Sequence, residues 1–192
     1  MSPMLRLRPL TTEDRAAIAE FVLNDPDHTR TCFDREPSPA DADDLLSSAA
    51  YGSGDVAPTL LGAFDADGAL VGLIDWACRW PTPATGYIGL LQVRPGHRRQ
   101  GVATALLAHA QEAAAAAGCR QLMLAVIARN EPARAFWERL GFQWLAPQRA
   151  RRAAPLEAVV MHRPIPAPQD GTRGEAQPAA AAHSAPAVGV PA

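Results

Sequence analysis

The chain contains no lysine: all 18 of its basic residues are arginine, set against 20 acidic residues for a formal charge of -2. Without lysine no Gly-Lys-Ser/Thr can complete a Walker phosphate loop. A nearly balanced charge gives no basic field for nucleic acid or for a membrane surface. Cysteine is scarce as well. Cys32, Cys78 and Cys119 are odd in number, widely spaced and without His or Cys partners at metal-ligand spacing, so neither a disulfide framework nor a zinc site is implied and reduced, buried thiols are the expectation. No apolar run approaches the roughly 20 residues of a membrane span. The stretch Met1 to Arg8 lacks a sustained apolar core before a cleavage site, so the expected compartment is the cytoplasm. No internal repeat is evident.

Alanine and proline are abundant instead, and together with the exclusive use of arginine they read as GC-rich codon usage and a bacterial source. A length of 192 residues with 48% hydrophobic content suits one soluble domain with a sizeable core. Leu5 to Arg8 alternates like a strand, and Thr11-Thr12-Glu13-Asp14 is a helix start ahead of Ala16, Ile18, Phe21 and Val22. A second helix is expected from about Pro39, with Asn24 to Pro37 a polar loop that lines an acceptor site. Leu60–Phe64 and Ala69–Ile74, joined across Asp65–Gly68, read as a hairpin. Trp80–Gly86 breaks regularity before a strand from Tyr87 to Val93. A helix then runs to Gly118, followed by a strand over Gln121–Ile127. Phe142–Leu145 and Glu157–His162 supply the last strands, joined through the arginine-rich Gln148–Arg152. From Pro164 to Ala192 periodicity gives way to proline, alanine and polar residues, so a folded domain over 1–163 and a disordered tail over 164–192 are expected. The order gives an α/β sandwich with a mixed, mostly antiparallel sheet flanked by helices.

Arg98-Arg99-Gln100-Gly101-Val102-Ala103 lies between the Tyr87–Val93 strand and the long alanine-rich helix. The first amides of a helix have no intrahelical acceptor and sit at the positive end of the peptide dipoles, so this turn is a site for a pyrophosphate. Gly101 removes the side chain that would block its approach. Three glycines at dinucleotide-binding spacing are missing.

The same six residues resemble the acetyl-coenzyme A signature of the GNAT superfamily of N-acetyltransferases, Gln/Arg-x-x-Gly-x-Gly/Ala. Asn130-Glu131-Pro132-Ala133, followed by Phe136-Trp137 and Gly141-Phe142, looks like that family's second motif. The resemblance covers roughly residues 5 to 163. It implies the family fold, with a splayed central strand pair, and an acetyl-coenzyme A-dependent N-acetyltransferase that transfers the acetyl group directly to an amine of a small molecule, peptide or protein. It also implies that the backbone of Leu91, Gln92 and Val93 holds the pantetheine arm. Arg98, Arg99, Gln100, Gly101, Val102, Ala103 and Thr104 would hold the pyrophosphate, with Asn130 and Trp137 completing the cofactor site. Asn130 is equally the N-cap of the last helix. Relatives often form dimers, so the resemblance admits a homodimer, although nothing in the sequence marks an interface.

Amide formation from a thioester requires an unprotonated amine, a stabilised oxyanion and a proton for the leaving thiolate. Many relatives carry a tyrosine where this chain has Trp137, and an indole is too weak an acid to replace it, which makes Trp137 a packing wall. Some relatives carry a glutamate base where this chain has Gly89 and Ala125. Tyr87 is the candidate catalytic residue, with Asp75, His97 and Glu131 as further groups for proton transfer. The cysteines lack an adjacent histidine, which disfavours an acetyl-cysteine route. The departures leave a second reading, a catalytically silent acyl-coenzyme A-binding or regulatory module. Asp25, Asp27, Asp34, Glu36, Asp41, Asp43 and Asp44 crowd the first helices, which hints at a cationic acceptor as much as at a solvated acidic surface.

Overall fold

The structure is a computed structural model that describes residues 5–47, 59–145 and 157–166. The arginine-rich Gln148–Arg152 connection and residues 167–192 of the expected tail lie outside the described residues. The elements in chain order are β1 (Arg6–Pro9), α1 (Arg15–Leu23), α2 (Pro26–Phe33), α3 (Asp41–Ser47), β2 (Thr59–Phe64) and β3 (Leu70–Cys78). They continue with β4 (Thr85–Val93), α4 (Val102–Ala116), β5 (Gln121–Ile127), α5 (Glu131–Arg139), β6 (Gln143–Trp144) and β7 (Ala158–Pro164).

One seven-stranded sheet has the order β1-β2-β3-β4-β5-β7-β6. All of its pairings are antiparallel except β4 with β5, which α4 joins in parallel as a crossover. The chain enters the first helix through a capping box: Thr11 Oγ1 accepts from the Glu13 amide and Asp14 Oδ2 from the Thr11 amide. Asp14 also takes both ends of the Arg8 guanidinium, at 2.6 and 2.8 Å, which ties β1 to the start of α1.

Two apolar layers cover the two faces of the sheet. On one, Ile18, Phe21 and Val22 of α1 and Ala42 of α3 bury themselves against Leu70 and Leu73. On the other, Val102, Leu106, Ala110 and Ala114 of α4 meet Ile74, Trp76, Ile88 and Leu122. Alanine is the best helix former and the shortest side chain, so α4 both holds its helix and lies close to the sheet. The approach is closest at Gly72, where an added Cβ would stand 2.7 Å from Val102 Cγ1 and 3.3 Å from the Gln92 carbonyl.

The structure corrects the sequence at its N-terminal third. Asn24 to Pro37 is no loop: Pro26–Phe33 forms the helix α2, with proline in its first turn and Thr29 its sole buried residue. A helix without an apolar stripe gives no periodic signal, and its stability comes from outside. The third helix starts at Asp41, two residues beyond Pro39. β7 ends at Pro164 rather than His162, and Ile165 then donates its amide to the Arg120 carbonyl at 2.8 Å.

Gly72→Ala is expected to lower the unfolding free energy by about 1–3 kcal/mol, because overpacking must move Val102 or the Gln92 backbone. Urea unfolding measures it. A variant as stable as the parent would mean that α4 does not seat on β3 at this point.

Candidate functional site

The site originates in one strand irregularity. β4 pairs with β3 along its length, but Asp75 stands opposite Leu90 and Trp76 opposite Ile88, so Gly89 is an extra residue, a bulge. β4 and β5 pair only from Thr85↔Gln121 to Ile88↔Leu124. Beyond the bulge the two strands separate. Leu90 to Val93 keep β3 on one side, and Ala125 to Ile127 keep β7. The separation leaves an edge of β4 whose amides and carbonyls face a cleft instead of a strand.

After β4 the chain turns through a short 3-10 segment, Pro95–His97, into Arg98–Gly101. Arg99 (φ 62°) and Gly101 (φ 85°) are both left-handed. Left-handed backbone of this kind is what turns use to point successive N–H groups the same way, and a helix N-terminus adds unpaired amides to it. At Gly101 an added Cβ would meet no protein atom within 4 Å, so the glycine borders open space. The strain of a left-handed arginine is of the kind that persists where the surroundings enforce it.

The cleft measures about 710 Å³. β4 contributes Leu91, Gln92 and Val93, and the turn with the head of α4 contributes His97, Arg98, Arg99, Gly101, Ala103 and Thr104. Asn130, Pro132, Ala133, Phe136, Trp137, Arg139 and Leu140 line it from α5 and its flanks, and Asp25, Asp27, His28 and Thr31 from α2 and its start. The residues expected to hold the cofactor therefore converge, with two exceptions among their side chains. Gln100 donates Nε2 to the Gly96 carbonyl at 2.9 Å, and Val102 is buried in the core under the sheet.

Asn130 caps α5 by accepting from the Ala133 amide at 3.2 Å while it also lines the cleft. Trp137 is 7% exposed and stands edge-on between Phe136 and Phe142, with centroids 5.0 Å apart in each pair. Its setting is that of a packed wall. Gly141 ends the helix region in the left-handed conformation.

The groups considered for proton transfer scatter. Tyr87 pairs with Ala77 and Met123 before the strands separate, packs edge-on to Trp80 at 4.6 Å, and does not line the cleft. Burial pushes its phenol up. Asp75 is not at a strand end: it lies within β3 and is 6% exposed. Glu131 is exposed in the first turn of α5. His97 lines the cleft with Nε2 3.7 Å from Asp65 Oδ2, and its Nδ1 is buried without a hydrogen-bond partner.

α2 holds what the sequence reading missed. Asp25, 3% exposed, accepts from Gln92 Nε2 at 3.2 Å and from Arg98 Nη2 at 2.5 Å, while Arg98 Nε donates to the Val93 carbonyl. Arg98 thus spends its charge on a buried carboxylate and fastens α2 to the turn. At the other end Arg129 donates to the Arg30 and Thr31 carbonyls and to Asp34, completing the last turn of the helix. The helix spans the gap between β4 and β5, pinned by one arginine from each side. Within it His28 and Cys32 are one turn apart, with Nδ1 3.9 Å from Sγ, so a cysteine does have an adjacent histidine. Burial raises the Cys32 thiol, which keeps it protonated and a poor nucleophile.

The acidic crowd is largely neutralised. Asp27 and Glu36 pair with Arg30, Asp34 with Arg129, Asp41 with Arg35 and Asp43 with Arg15. With Asp25 on Arg98, little bare negative field remains for a cationic acceptor. The three cysteines are unpaired, and Cys119 alone is fully buried. Among the described residues no helix is long and apolar enough to cross a membrane.

The model of the Acetyltransferase (GNAT) family matches residues 20–142. Solved structures share the fold at low identity. An acetyltransferase from Thermus thermophilus is 21% identical with a TM-score of 0.68, over 85% of this chain and 98% of that one. PaiA N-acetyltransferase from Thermoplasma acidophilum, in complex with coenzyme A, is 18% identical with a TM-score of 0.64, over 83% of this chain and 98% of that one. NAA60 from Arabidopsis thaliana, in complex with a bisubstrate analogue, is 17% identical with a TM-score of 0.60, over 85% of this chain and 100% of that one. A comparison with the curated proteins finds no match.

Two variants of Gly101 separate backbone strain from ligand exclusion. Gly101→Ala is expected to cost about 1–2 kcal/mol of stability from its positive φ, and Gly101→Glu to abolish acetyl-coenzyme A binding as well, by filling and charging the open space it borders. Calorimetric titration of the folded variants decides it, and unchanged affinity in Gly101→Glu would remove the turn from the site. Trp137→Ala is expected to lower unfolding free energy by about 3–5 kcal/mol and Trp137→Phe by much less. If instead Trp137→Phe abolishes turnover with stability and cofactor affinity intact, the indole N–H has a role beyond packing.

Proposed function

Since the chain belongs to the acetyltransferase (GNAT) family of N-acetyltransferases, which use acetyl-coenzyme A, we propose that it transfers the acetyl group directly to an amine of a small molecule or peptide within the described cleft. The observation that carries the reading is the joining of two backbone features in one cavity: the edge of β4 left unpaired beyond Gly89, and the left-handed turn at the head of α4. Acetyl-coenzyme A supplies the activated thioester.

The chain's part is mostly to bind and orient. The amides and carbonyls of Leu91 to Val93 act as a strand partner for the pantetheine amides. The first amides of α4, around Gly101, Ala103 and Thr104, meet the pyrophosphate, and the Arg99 guanidinium adds charge beside it. Gln100 and Val102 contribute main chain only. Asn130 holds the start of α5, and Trp137 walls the cavity from water. Holding the amine against the thioester in a defined pose supplies much of the acceleration, and exclusion of water strengthens every dipole aimed at the developing oxyanion.

Direct transfer is favoured over an acetyl-cysteine intermediate because the thiol nearest a histidine, Cys32, is made less acidic by burial. The proposed setting is the bacterial cytoplasm, on the arginine-only composition and the unpaired thiols.

Coenzyme A release, followed with a thiol reagent, is expected with at least one of putrescine, phenethylamine and a short peptide with a free α-amino group. Tight acetyl-coenzyme A binding without release by any of them would favour the silent acyl-coenzyme A-binding module instead.

A further inference from the structure

We propose that His28 is the catalytic base of the transfer, taking the proton from the acceptor nitrogen at the mouth of the cleft; the inference rests on the acetyltransferase reading above. Three observations bring the residue forward. It is an imidazole of α2 that lines the cavity shared with the β4 edge and the α4 turn. It is half-buried, with Phe33 packed edge-on to it at 6.5 Å. Its ring is oriented: Nδ1 lies 3.9 Å from Cys32 Sγ, which leaves Nε2 as the nitrogen to meet a ligand. None of the other groups considered for proton transfer combines these. Tyr87 and Glu131 do not line the cavity, and His97 Nε2 is directed at Asp65.

Burial holds the His28 imidazolium below the ordinary histidine range, with Asp25 working against that shift and Arg98 for it. The neutral, proton-accepting form is therefore the one present at neutral pH. The charges that act on the ring are Asp25 at the start of α2 and Arg98 from the turn, with the Cys32 thiol at Nδ1; Asp27, His97, Arg99 and Arg139 are the other titratable or charged groups lining the same cavity. Asp25 is already bound by Arg98 and Gln92, and Asp27 by Arg30, so neither carboxylate is placed to take the proton in its stead.

The step balances without a further reactant. The neutral amine attacks the thioester carbonyl carbon, the C–N bond forms and the carbonyl π pair moves onto oxygen. The nitrogen, now cationic on a carbon bearing oxygen and sulfur, is much more acidic than a free ammonium. Nε2 of His28 takes its proton while Nδ1–H donates to Cys32 Sγ. The oxyanion pair returns to re-form C=O as the C–S bond breaks with its pair on sulfur. The proton on His28 then passes to the coenzyme A thiolate, and the imidazole is neutral again.

The test uses the full chain, acetyl-coenzyme A and the three amines named above. His28→Gln is expected to lower kcat by about 10²–10⁴-fold while calorimetric affinity for acetyl-coenzyme A stays within about twofold. The acid limb of the parent's pH–rate profile, which rises through the lowered His28 value, is expected to vanish, and imidazole in the buffer to restore part of the activity of His28→Gly. Cys32→Ala is expected to shift that acid limb while leaving cofactor affinity unchanged. Parent-like kcat and pH profile in His28→Gln would overturn the assignment and leave the acetyltransferase reading standing. An equal fall in kcat with no change in the acid limb and no imidazole rescue would reduce His28 to a structural role and overturn it too. No turnover of any amine by the unaltered chain with acetyl-coenzyme A bound would overturn the inference together with the reading beneath it.

Discussion

Everything at the site depends on β4 losing its partner at Gly89. A strand interior to a sheet has both edges satisfied, and a central strand with one edge open would normally cost the desolvation of several amides and carbonyls. Here the bulge bends β4 away from β5 after Ile88↔Leu124, and the resulting gap is where every other component gathers. The turn to α4 begins where the open edge ends, and α5 follows directly from the far arm of the gap. An opening of this kind also needs bracing, because neither strand supports the other there. α2 supplies it, with the Asp25–Arg98 pair at one arm and the Arg129 contacts at the other.

The bracing helix has a further physical consequence. Arg98 is both the first residue of the turn at the head of α4 and the partner of a buried carboxylate, so its guanidinium is not simply free positive charge beside the cleft. A buried ion pair with one exposed member contributes modestly to stability, yet removal of either member leaves a group without its partner. The pair therefore fixes geometry more than it adds energy: it holds the turn against α2, and through Gln92 it holds β4 as well.

How much of this was legible in the sequence follows from what kind of force made each element. The two family motifs were readable because each is written in residues with backbone consequences: a glycine at a left-handed position, an Asn-Glu-Pro helix start, a Gly-Phe exit. β5 was read at its observed bounds because a buried strand is a continuous apolar run. α2 was illegible because it has no apolar face to make a period, being a helix held by partners 70 and more positions away in the chain. Missing α2 also hid the pairing of His28 with Cys32, which becomes apparent only once a turn of helix separates them. The place of Tyr87 was hidden for a related reason. It belongs to the same strand as the site, but it precedes the bulge, and a bulge leaves little trace in a sequence beyond a glycine.

The contrast between the resembling and the departing positions has a physical logic. Recognition of a pyrophosphate or a pantetheine amide by main-chain groups tolerates almost any side chains, so the turn and the open edge can match a family while identity to solved relatives stays near 20%. Proton transfer depends on a single side chain with the right affinity for a proton, and the protein surface around a cleft offers several elements from which to present it. At the positions where the resemblance implies a carboxylate or a phenol this chain has Gly89, Ala125 and Trp137, and each has a structural occupation: Gly89 makes the bulge, Ala125 pairs with Val160 on the far arm, and Trp137 fills the wall. None can take up the proton. The remaining side of the cavity is α2, the element that the opening of the sheet made necessary, and its imidazole faces the space that the bulge created.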